Sequence, residues 1–274
     1  MPAILLQTHR VEKPWGRHTL WPGFADVGTA GEPVGEVWYQ TPGDTKPDLL
    51  IKYLFTAEKL SIQVHPDDAQ AQARGLPRGK DECWTILAAE PGATIALGPK
   101  QPTDRATLKR AAEDGTIEAL LDWKTVAAGD FFYCPSGTIH AIGGGLTLIE
   151  VQQNSETTYR LFDYGSDREL HLEDGMAVAS TDPYRPIVSP GSAGEGHEIK
   201  VEGPKFVLER WSGGTRDMAL PDGRTGWLVI IKGSGSVAGV AFQAGECVTV
   251  TGAETVSASE DADLLFAYPG AVRI

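Results

Sequence analysis

The sequence predicts a mostly β protein made of two β-barrel domains with a few short helices inserted. Ten short runs of strand-forming residues follow one another at close spacing, separated by Gly, Pro and Asp, at 49–55, 60–64, 83–87, 94–97, 131–133, 146–152, 206–210, 227–232, 247–250 and 264–268. Such spacing is typical of sandwiches and barrels rather than of parallel βαβ units. No glycine-rich phosphate-binding motif opens a helix, so a nucleotide-binding fold is not indicated.

Three segments have a helical pattern, at 67–74, 103–123 and 172–179, and Gly115 interrupts the second of them. The segment 184–197 is rich in Pro and Gly and poor in apolar residues, which is typical of a linker. The chain has 274 residues, a length that suits one large or two small domains. We therefore predict a first domain at 1–197, with a helical insertion near 103–123 and a linker near 184–197, and a second domain at 198–274.

The composition restricts the class of partner. The chain carries 37 acidic and 24 basic residues, a formal net charge of −13. This charge argues against nucleic acid or an anionic membrane as a partner, whereas a small anionic substrate needs only a few local cations. The three cysteines form no CxxC motif, and no apolar run is long enough for a signal peptide or a membrane span. These features predict a cytoplasmic protein, and they leave its oligomeric state open.

A short internal repeat links the two predicted domains. The sequence Ala-Gly-Asp at 128–130 recurs as Ala-Gly-Glu at 244–246, each followed by strand-forming residues. When the ungapped alignment is continued, Val256 stands at the position of His140. The second domain is therefore predicted to lack the metal ligands of the first.

The pattern Gly129-x5-Pro135-x-Gly137-x2-His140 describes a strand, a tight turn and a histidine that enters the next strand. It resembles the second consensus motif of cupins, small β-barrels that often bind a metal inside, although Gly144 replaces the terminal Asn of that motif. A turn followed by an ordinary core histidine is the alternative.

Two further strands place polar residues on a single face. Ser61, Gln63 and His65 share one face of the first strand and alternate with Ile and Val, and Lys80, Glu82 and Trp84 share one face of the second. A polar stripe inside a barrel is costly unless a metal or a ligand satisfies it. The alternatives are a solvent-exposed face for the first strand and a surface ion pair for the second.

Together these motifs supply two imidazoles and two oxygen donors, from Gln63, His65, Glu82 and His140. The set suits zinc first, and iron or manganese next. Because it contains no thiolate, a catalytic site with an open coordination position is favoured over a closed structural site. Arg160 lies among strand-forming residues further along the chain, where a guanidinium is either functional or paired with Asp163 or Glu156.

The motifs of this chain follow one another in the same order as in type I mannose-6-phosphate isomerases, and the chain resembles the short bacterial form of that family. The resemblance covers roughly residues 10–175 and is carried by Lys13-Pro14-Trp15-Gly16, Gly35-Glu36-Val37-Trp38, Gln63-x-His65-Pro66-Asp67, Lys80-x-Glu82-x-Trp84, Gly137-Thr138-Ile139-His140, Gln152 to Tyr164 and Arg168-Glu169-Leu170-His171. Arg17 replaces a second Gly after Trp-Gly, and Glu156 replaces an Asp that the family usually has four residues before its active-site Arg.

The resemblance implies one zinc ion per chain held by Gln63, His65, Glu82 and His140. The strand pattern and the internal repeat add a second domain, so that we predict two cupin-like jelly-roll domains. The resemblance also implies that Lys80 and Arg160 are catalytic and bind substrate, that Trp15 and Ser61 bind substrate, and that Glu156 is a further catalytic residue.

The expected reaction interconverts mannose 6-phosphate and fructose 6-phosphate by proton transfer through an enediolate. Glu156, Lys80 and a metal-bound hydroxide are all candidates for the base. A metal-dependent sugar-binding or sensor module is the alternative of another class. A non-haem iron oxygenase is a less favoured one, because Gln is a poor donor for tuning a redox iron.

Overall fold

The computed structural model describes residues 2–43, 46–187, 189–271 and 273. The strands are β1 (Ala3–Leu5), β2 (Gln7–Arg17), β3 (Val34–Gln40), β4 (Leu49–Thr56), β5 (Ile62–Val64), β6 (Glu82–Ala89), β7 (Thr94–Pro99), β8 (Leu121–Thr125), β9 (Phe131–Cys134), β10 (His140–Ile142), β11 (Leu146–Gln153), β12 (Tyr159–Phe162), β13 (Gly191–Gly194), β14 (His197–Glu202), β15 (Phe206–Ala219), β16 (Thr225–Lys232), β17 (Ser234–Val237), β18 (Val240–Gln243), β19 (Cys247–Thr251) and β20 (Ala253–Pro269). The helices are α1 (Asp68–Gln72), α2 (Arg105–Asp114), α3 (Ile117–Leu120) and α4 (Leu172–Val178). The mostly β fold class is thereby confirmed.

Two antiparallel sheets form the part of the fold that holds the candidate site. One is five-stranded in the order β12-β5-β10-β7-β8, and the other is six-stranded in the order β2-β3-β4-β11-β6-β9. Trp84 and Leu148 of the six-stranded sheet share one apolar cluster with Ile95 and Ile142 of the five-stranded sheet. The inner faces of the two sheets therefore pack against each other, as in a sandwich.

The outer faces of these sheets are also covered. Ile62 and Val64 on β5 pack with Leu108 of α2 and Met176 of α4. Every residue of β4 and β11 is buried, which requires a partner on both faces of the six-stranded sheet. That second partner is the C-terminal sheet, whose side chains join the outer face of the six-stranded sheet in a single cluster.

The C-terminal strands form a sheet with the order β1-β19-β16-β20-β15-β14-β13, and β17 and β18 are attached through β20. Its strand β1 comes from the start of the chain and pairs with β19. Strand β13 lies within the segment predicted as a linker, in which residue 188 lies outside the described residues. The boundary near residue 198 stays a prediction.

The repeated Ala-Gly-acid turn adopts the same structure in both places. Gly129 and Gly245 both have a left-handed φ, of 95° and 85°. The acid side chain of each turn accepts a hydrogen bond from a backbone amide three residues earlier, and each glycine amide donates to an isoleucine carbonyl, of Ile86 or of Ile230. At the end of the repeat, Val256 is buried in an apolar cluster.

The predicted helix at 103–123 differs from the structure at both ends. Helix α2 begins at Arg105, two residues later than predicted, and the side chain of Asp104 caps it by accepting a hydrogen bond from the amide of Thr107. Residues 121–123 belong to β8, because pairing with β7 supersedes their helical pattern. In the described part of the chain, no helix has the length and apolar character needed to cross a membrane.

Candidate active site

A buried group of two imidazoles and one carboxylate lies between the two sheets of the first sandwich. His65 follows β5, His140 begins β10 and Glu82 begins β6. Glu82 lies 3.5 Å from Nε2 of His65 through Oε2, and 3.1 Å from Nε2 of His140 through Oε1. None of these three residues is more than 1% exposed. The two sheets thus bring together side chains that are 17 to 75 positions apart in the sequence.

Backbone contacts orient both imidazole rings. Nδ1 of His65 lies 2.9 Å from the carbonyl oxygen of Thr157, and Nδ1 of His140 lies 2.9 Å from that of Thr138. A carbonyl only accepts, so we assign the ring proton to Nδ1 in each histidine. Each Nε2 then presents a lone pair toward Glu82, which is the arrangement found in metal-ligating histidines.

The electrostatics of the group favour a neutral His65 beside an ionised Glu82. Burial, followed by the Lys80 ammonium, lowers the pKa of His65 to about 3. Burial alone would raise the pKa of Glu82, but the neighbouring Lys80 ammonium holds it well below its usual range. Neutral imidazole and ionised carboxylate are the protonation states in which these groups bind a metal.

The polar atoms of this group fit a metal ion. Both carboxylate oxygens of Glu82 and Nε2 of His140 are buried and accept no hydrogen bond of good geometry, although Nζ of Lys80 lies 2.8 Å from Oε2. Unpartnered buried atoms of this kind are costly unless a ligand satisfies them. Gln63 lies opposite His140 in the β5–β10 register, so its side chain faces the same side of the sheet.

A cavity of about 130 Å³ opens beside this group. Its described lining consists of Lys13, Trp15, Glu36, Lys52, Leu54, Leu60, Ser61, Gln63, Lys80, Ile142, Glu150, Thr158, Arg160 and Arg168. Five of these side chains are cationic and two are anionic. A local excess of positive charge in a chain of net charge −13 suits a small anion.

Four of the residues predicted to bind substrate or to act in catalysis line this cavity, namely Trp15, Ser61, Lys80 and Arg160. Nζ of Lys80 lies 3.2 Å from Nε2 of His65, so Lys80 joins the cavity to the buried group. Burial would lower the pKa of Lys80, but Glu82, Glu150 and Glu36 together raise it to about 12. Lys80 is therefore a cation at neutral pH.

A charged array on the six-stranded sheet lies outside the set of residues predicted from the sequence. Nζ of Lys52 lies 3.1 Å from Oε1 of Glu150 and 3.7 Å from Oε2 of Glu36, and Nε1 of Trp84 donates to Oε2 of Glu150. The sequence does contain a signal for it. Lys52 and Glu150 are each the single charged residue of an otherwise uncharged strand, which indicates a buried, functional or paired charge.

Arg160 forms no ion pair with a carboxylate in the described part of the chain. Its Nη1 donates to the carbonyl of Glu169, and its buried Nε has no partner. The structural alternative, in which Arg160 pairs with Asp163 or Glu156, is therefore wrong. Asp163 instead binds Arg168 through two hydrogen bonds of 2.6 Å.

Glu156 does not join the other predicted site residues. Its side chain is exposed and lies in a separate cleft with Trp38, Gln40 and Asn154. The strand β12 that carries Arg160 begins only at Tyr159, so Glu156 lies outside the sheet, and its side chain lines the separate cleft. This position gives no support to a catalytic role for Glu156.

Replacing Glu156 with alanine is expected to leave kcat/KM within about twofold of the wild-type value, since surface substitutions away from a site are usually nearly neutral. Steady-state kinetics with the candidate substrate measure this. A loss of a hundredfold or more would return Glu156 to the catalytic residues.

The depressed pKa of His65 predicts how the stability of the metal-free protein depends on pH. The folded state keeps His65 neutral down to about pH 3, whereas the unfolded chain binds a proton near its ordinary pKa of 6.5. The contribution is therefore complete above pH 6.5 and declines as the pH falls. Between pH 7 and pH 5 we expect the free energy of unfolding to drop by about 2 kcal/mol from this residue.

Urea unfolding of chelator-treated protein at the two pH values measures this drop. In the His65→Gln variant the free energy of unfolding should fall by about 2 kcal/mol less between pH 7 and pH 5 than in the wild type. Equal declines in the wild type and the variant would contradict the assignment.

Two packed antiparallel sheets around a buried His–Glu–His group define a cupin with a candidate metal centre. Residues 187–267 match the family model described as "Quercetinase C-terminal cupin domain". The chain is also 34% identical over 226 residues to Probable mannose-6-phosphate isomerase GmuF of Bacillus subtilis (strain 168), and the match covers 76% of this chain and 71% of that protein. The chain belongs to the mannose-6-phosphate isomerase family.

Two further comparisons agree with this assignment. The chain is 37% identical over 171 residues to Mannose-6-phosphate isomerase of Streptococcus mutans serotype c, and this match spans 60% of the chain but only 54% of that protein. The crystal structure of the mannose 6-phosphate isomerase from Bacillus subtilis superposes with a TM-score of 0.81 at 28% identity, covering 97% of this chain and 99% of that one.

Proposed function

We propose that this protein is an aldose–ketose isomerase that interconverts mannose 6-phosphate and fructose 6-phosphate by proton transfer through an enediolate. The observation that carries the proposal is the convergence of five cationic side chains on a cavity that adjoins the buried His65–Glu82–His140 group. A phosphorylated sugar supplies the anion, and its hydroxyl and carbonyl oxygens suit the polar lining. The similarity to two mannose-6-phosphate isomerases supports an isomerase over the sugar-binding module and the oxygenase.

We assign to this site one zinc ion per chain, held by His65, Glu82, His140 and Gln63. In the described part of the chain, the carboxylate oxygens of Glu82 and Nε2 of His140 are buried without a hydrogen bond of good geometry, which supports Glu82 and His140 as ligands. The position of Gln63 opposite His140 supports Gln63 as the fourth ligand. When bound, the ion would act as a Lewis acid toward an oxygen of the substrate.

The cationic residues of the cavity stabilise negative charge on the substrate. Among the described residues no carboxylate accepts a hydrogen bond from Arg160, and its rigid guanidinium fork suits an oxyanion or a phosphate. Lys80 is held as a cation by three glutamates and supplies a second positive charge. Both groups are in place before the substrate binds, so little reorganisation is needed as the enediolate charge develops.

The positions of the other polar residues support a substrate-binding role for Ser61 and an acid–base role for Glu150. Glu150 is 4% exposed, lines the cavity and is fixed by Lys52 and Trp84. We assign to it the transfer of the proton between C1 and C2, in preference to Lys80, which is protonated, and to Glu156, which lies elsewhere; a metal-bound hydroxide is the alternative base. Trp15 and Leu60 form part of the apolar wall of the cavity.

A coupled assay with mannose 6-phosphate, run before and after treatment with a chelator, tests the proposal. We expect turnover that is lost with the metal and restored by added zinc. Mannose without the phosphate, at the same concentration, should be turned over poorly, because the cations of the cavity then have no anion to bind. Absence of turnover in zinc-loaded wild-type protein would overturn the isomerase assignment.

We propose the cytoplasm as the compartment. All three cysteines, Cys83, Cys134 and Cys247, are buried and unpaired, which is the usual state in a reducing environment.

A further inference from the structure

One turn of the C-terminal sheet contacts two residues, Asp68 and Tyr133, that hydrogen-bond to the segment carrying Lys80 and Glu82. Lys205, between β14 and β15, places Nζ 2.6 Å from Oδ2 of Asp68, the first residue of α1. Next to it, the ring of Phe206 lies 5.5 Å from the ring of Tyr133 on β9. The two contacts therefore join the C-terminal sheet to the candidate active-site sandwich at neighbouring points.

The partner of Lys205 fixes the backbone on both sides of Lys80. Oδ1 of Asp68 accepts hydrogen bonds from the amide of Gly79, at 2.8 Å, and from Nε2 of Gln153, at 3.0 Å. Oε1 of Gln153 in turn accepts a hydrogen bond of 2.9 Å from the amide of Asp81. The Lys205 ion pair is thus connected, within two hydrogen bonds, to the amides that flank Lys80.

The segment also has little room to shift. A Cβ atom added at Gly79 would lie 2.4 Å from the backbone of Asp67, so this glycine allows the two chain segments to touch. On the opposite side, Oδ2 of Asp81 accepts a hydrogen bond from the hydroxyl of Tyr133. The residues that place Lys80 and Glu82 are therefore held from the side of Asp68 and from the side of Tyr133.

We infer that Lys205 is a positioning residue through which the C-terminal domain sets the geometry of Lys80 and Glu82. This inference rests on the proposed function for its effect on turnover, but not for its effect on the backbone or on the metal. Residues that orient metal ligands typically change metal affinity or activity by roughly 10- to 100-fold when they are altered.

The test compares Lys205→Met, which keeps the length and removes the charge, with Lys205→Arg, which keeps the charge. Lys232→Met is the matched control, since Lys232 pairs with Asp261 within the C-terminal sheet. Three quantities are measured: zinc affinity against a chromophoric chelator, kcat and KM at saturating zinc, and hydrogen exchange of the amides of Gly79 and Asp81.

For Lys205→Met we expect zinc affinity and kcat to fall about tenfold, KM to change less than about threefold, and the two amides to exchange faster. Lys205→Arg should restore all three quantities to within about twofold, and Lys232→Met should change none of them. Unchanged exchange at Gly79 and Asp81 in folded Lys205→Met would overturn the inference, whether or not the protein proves to be an isomerase.

A double-mutant cycle with Asp68→Asn covers the case in which Lys205→Met folds poorly. The asparagine keeps an acceptor for the amide of Gly79 and removes the charge that Lys205 binds. If Lys205 acts through Asp68, Asp68→Asn should lower zinc affinity about as much as Lys205→Met, and the double variant should lose little more than either single variant. Wild-type zinc affinity in Asp68→Asn, or additive losses in the double variant, would contradict the inference.

Discussion

Replacing His65 with alanine is expected to weaken zinc binding by at least about 100-fold, a larger effect than that of losing an outer-shell partner. Gln63→Ala should weaken it less, because a neutral amide is the weakest donor of the proposed set. The structure adds a reason for this order. His65 is 1% exposed and is oriented by the carbonyl of Thr157, whereas Gln63 is only partly buried at the edge of the cavity.

Elemental analysis of the purified variants, followed by chelator competition, measures this order. His9→Ala is a matched control, because His9 is an exposed histidine of β2 outside the group. We expect about one zinc per chain in the wild type and in this control. An active wild-type preparation without metal would refute the ligand assignment. A Gln63→Ala variant that binds zinc more weakly than His65→Ala does would refute it as well.

Replacing Arg160 with alanine is expected to lower kcat by roughly 10² to 10³, or about 3 kcal/mol, by analogy with the removal of one oxyanion donor. The reason is that Arg160 has no carboxylate partner in the described structure and keeps a buried Nε without a hydrogen bond. A charge held in this way is available to the enediolate, and KM for the sugar phosphate should then change little.

The ratio of kcat to KM effects distinguishes the roles of this arginine. If Arg160 binds the phosphate of the ground state, KM rises and kcat is nearly kept. Arg160→Lys, which keeps the charge but not the planar fork, should recover only part of the activity. Arg110→Ala, on the exposed face of α2, is the control for loss of a surface arginine. A folded, zinc-loaded Arg160→Ala enzyme with wild-type kcat/KM would remove Arg160 from the site.

The sequence by itself determined which side chains can share a face. Alternate residues of a strand point to the same side. The sequence therefore predicts that Gln63 and His65 share one face, and that Lys80 and Glu82 share one face of another strand. The glycine-proline turn before His140 is local chemistry as well, and so is the turn repeated at residues 128–130 and 244–246. These features depend only on residues that are close together in the sequence, so a local sequence pattern is enough to predict them.

Only the tertiary structure decided which of these faces meet, because strand order and register join residues that are far apart in the chain. Lys52, Glu36 and Glu150 lie on three adjacent strands and form one charged array. The sequence marks Lys52 and Glu150 as single charges in their strands, but it does not show that these residues contact each other. Asp163 binds Arg168 rather than Arg160, and Glu156 faces a different cleft, because the chain leaves the sheet before Tyr159. Strand β1, at the start of the sequence, pairs with β19 near its end. Burial of the outer face of the six-stranded sheet brings the C-terminal strands against it. Lys205, between β14 and β15 of the C-terminal sheet, therefore lies close enough to Asp68 to form an ion pair.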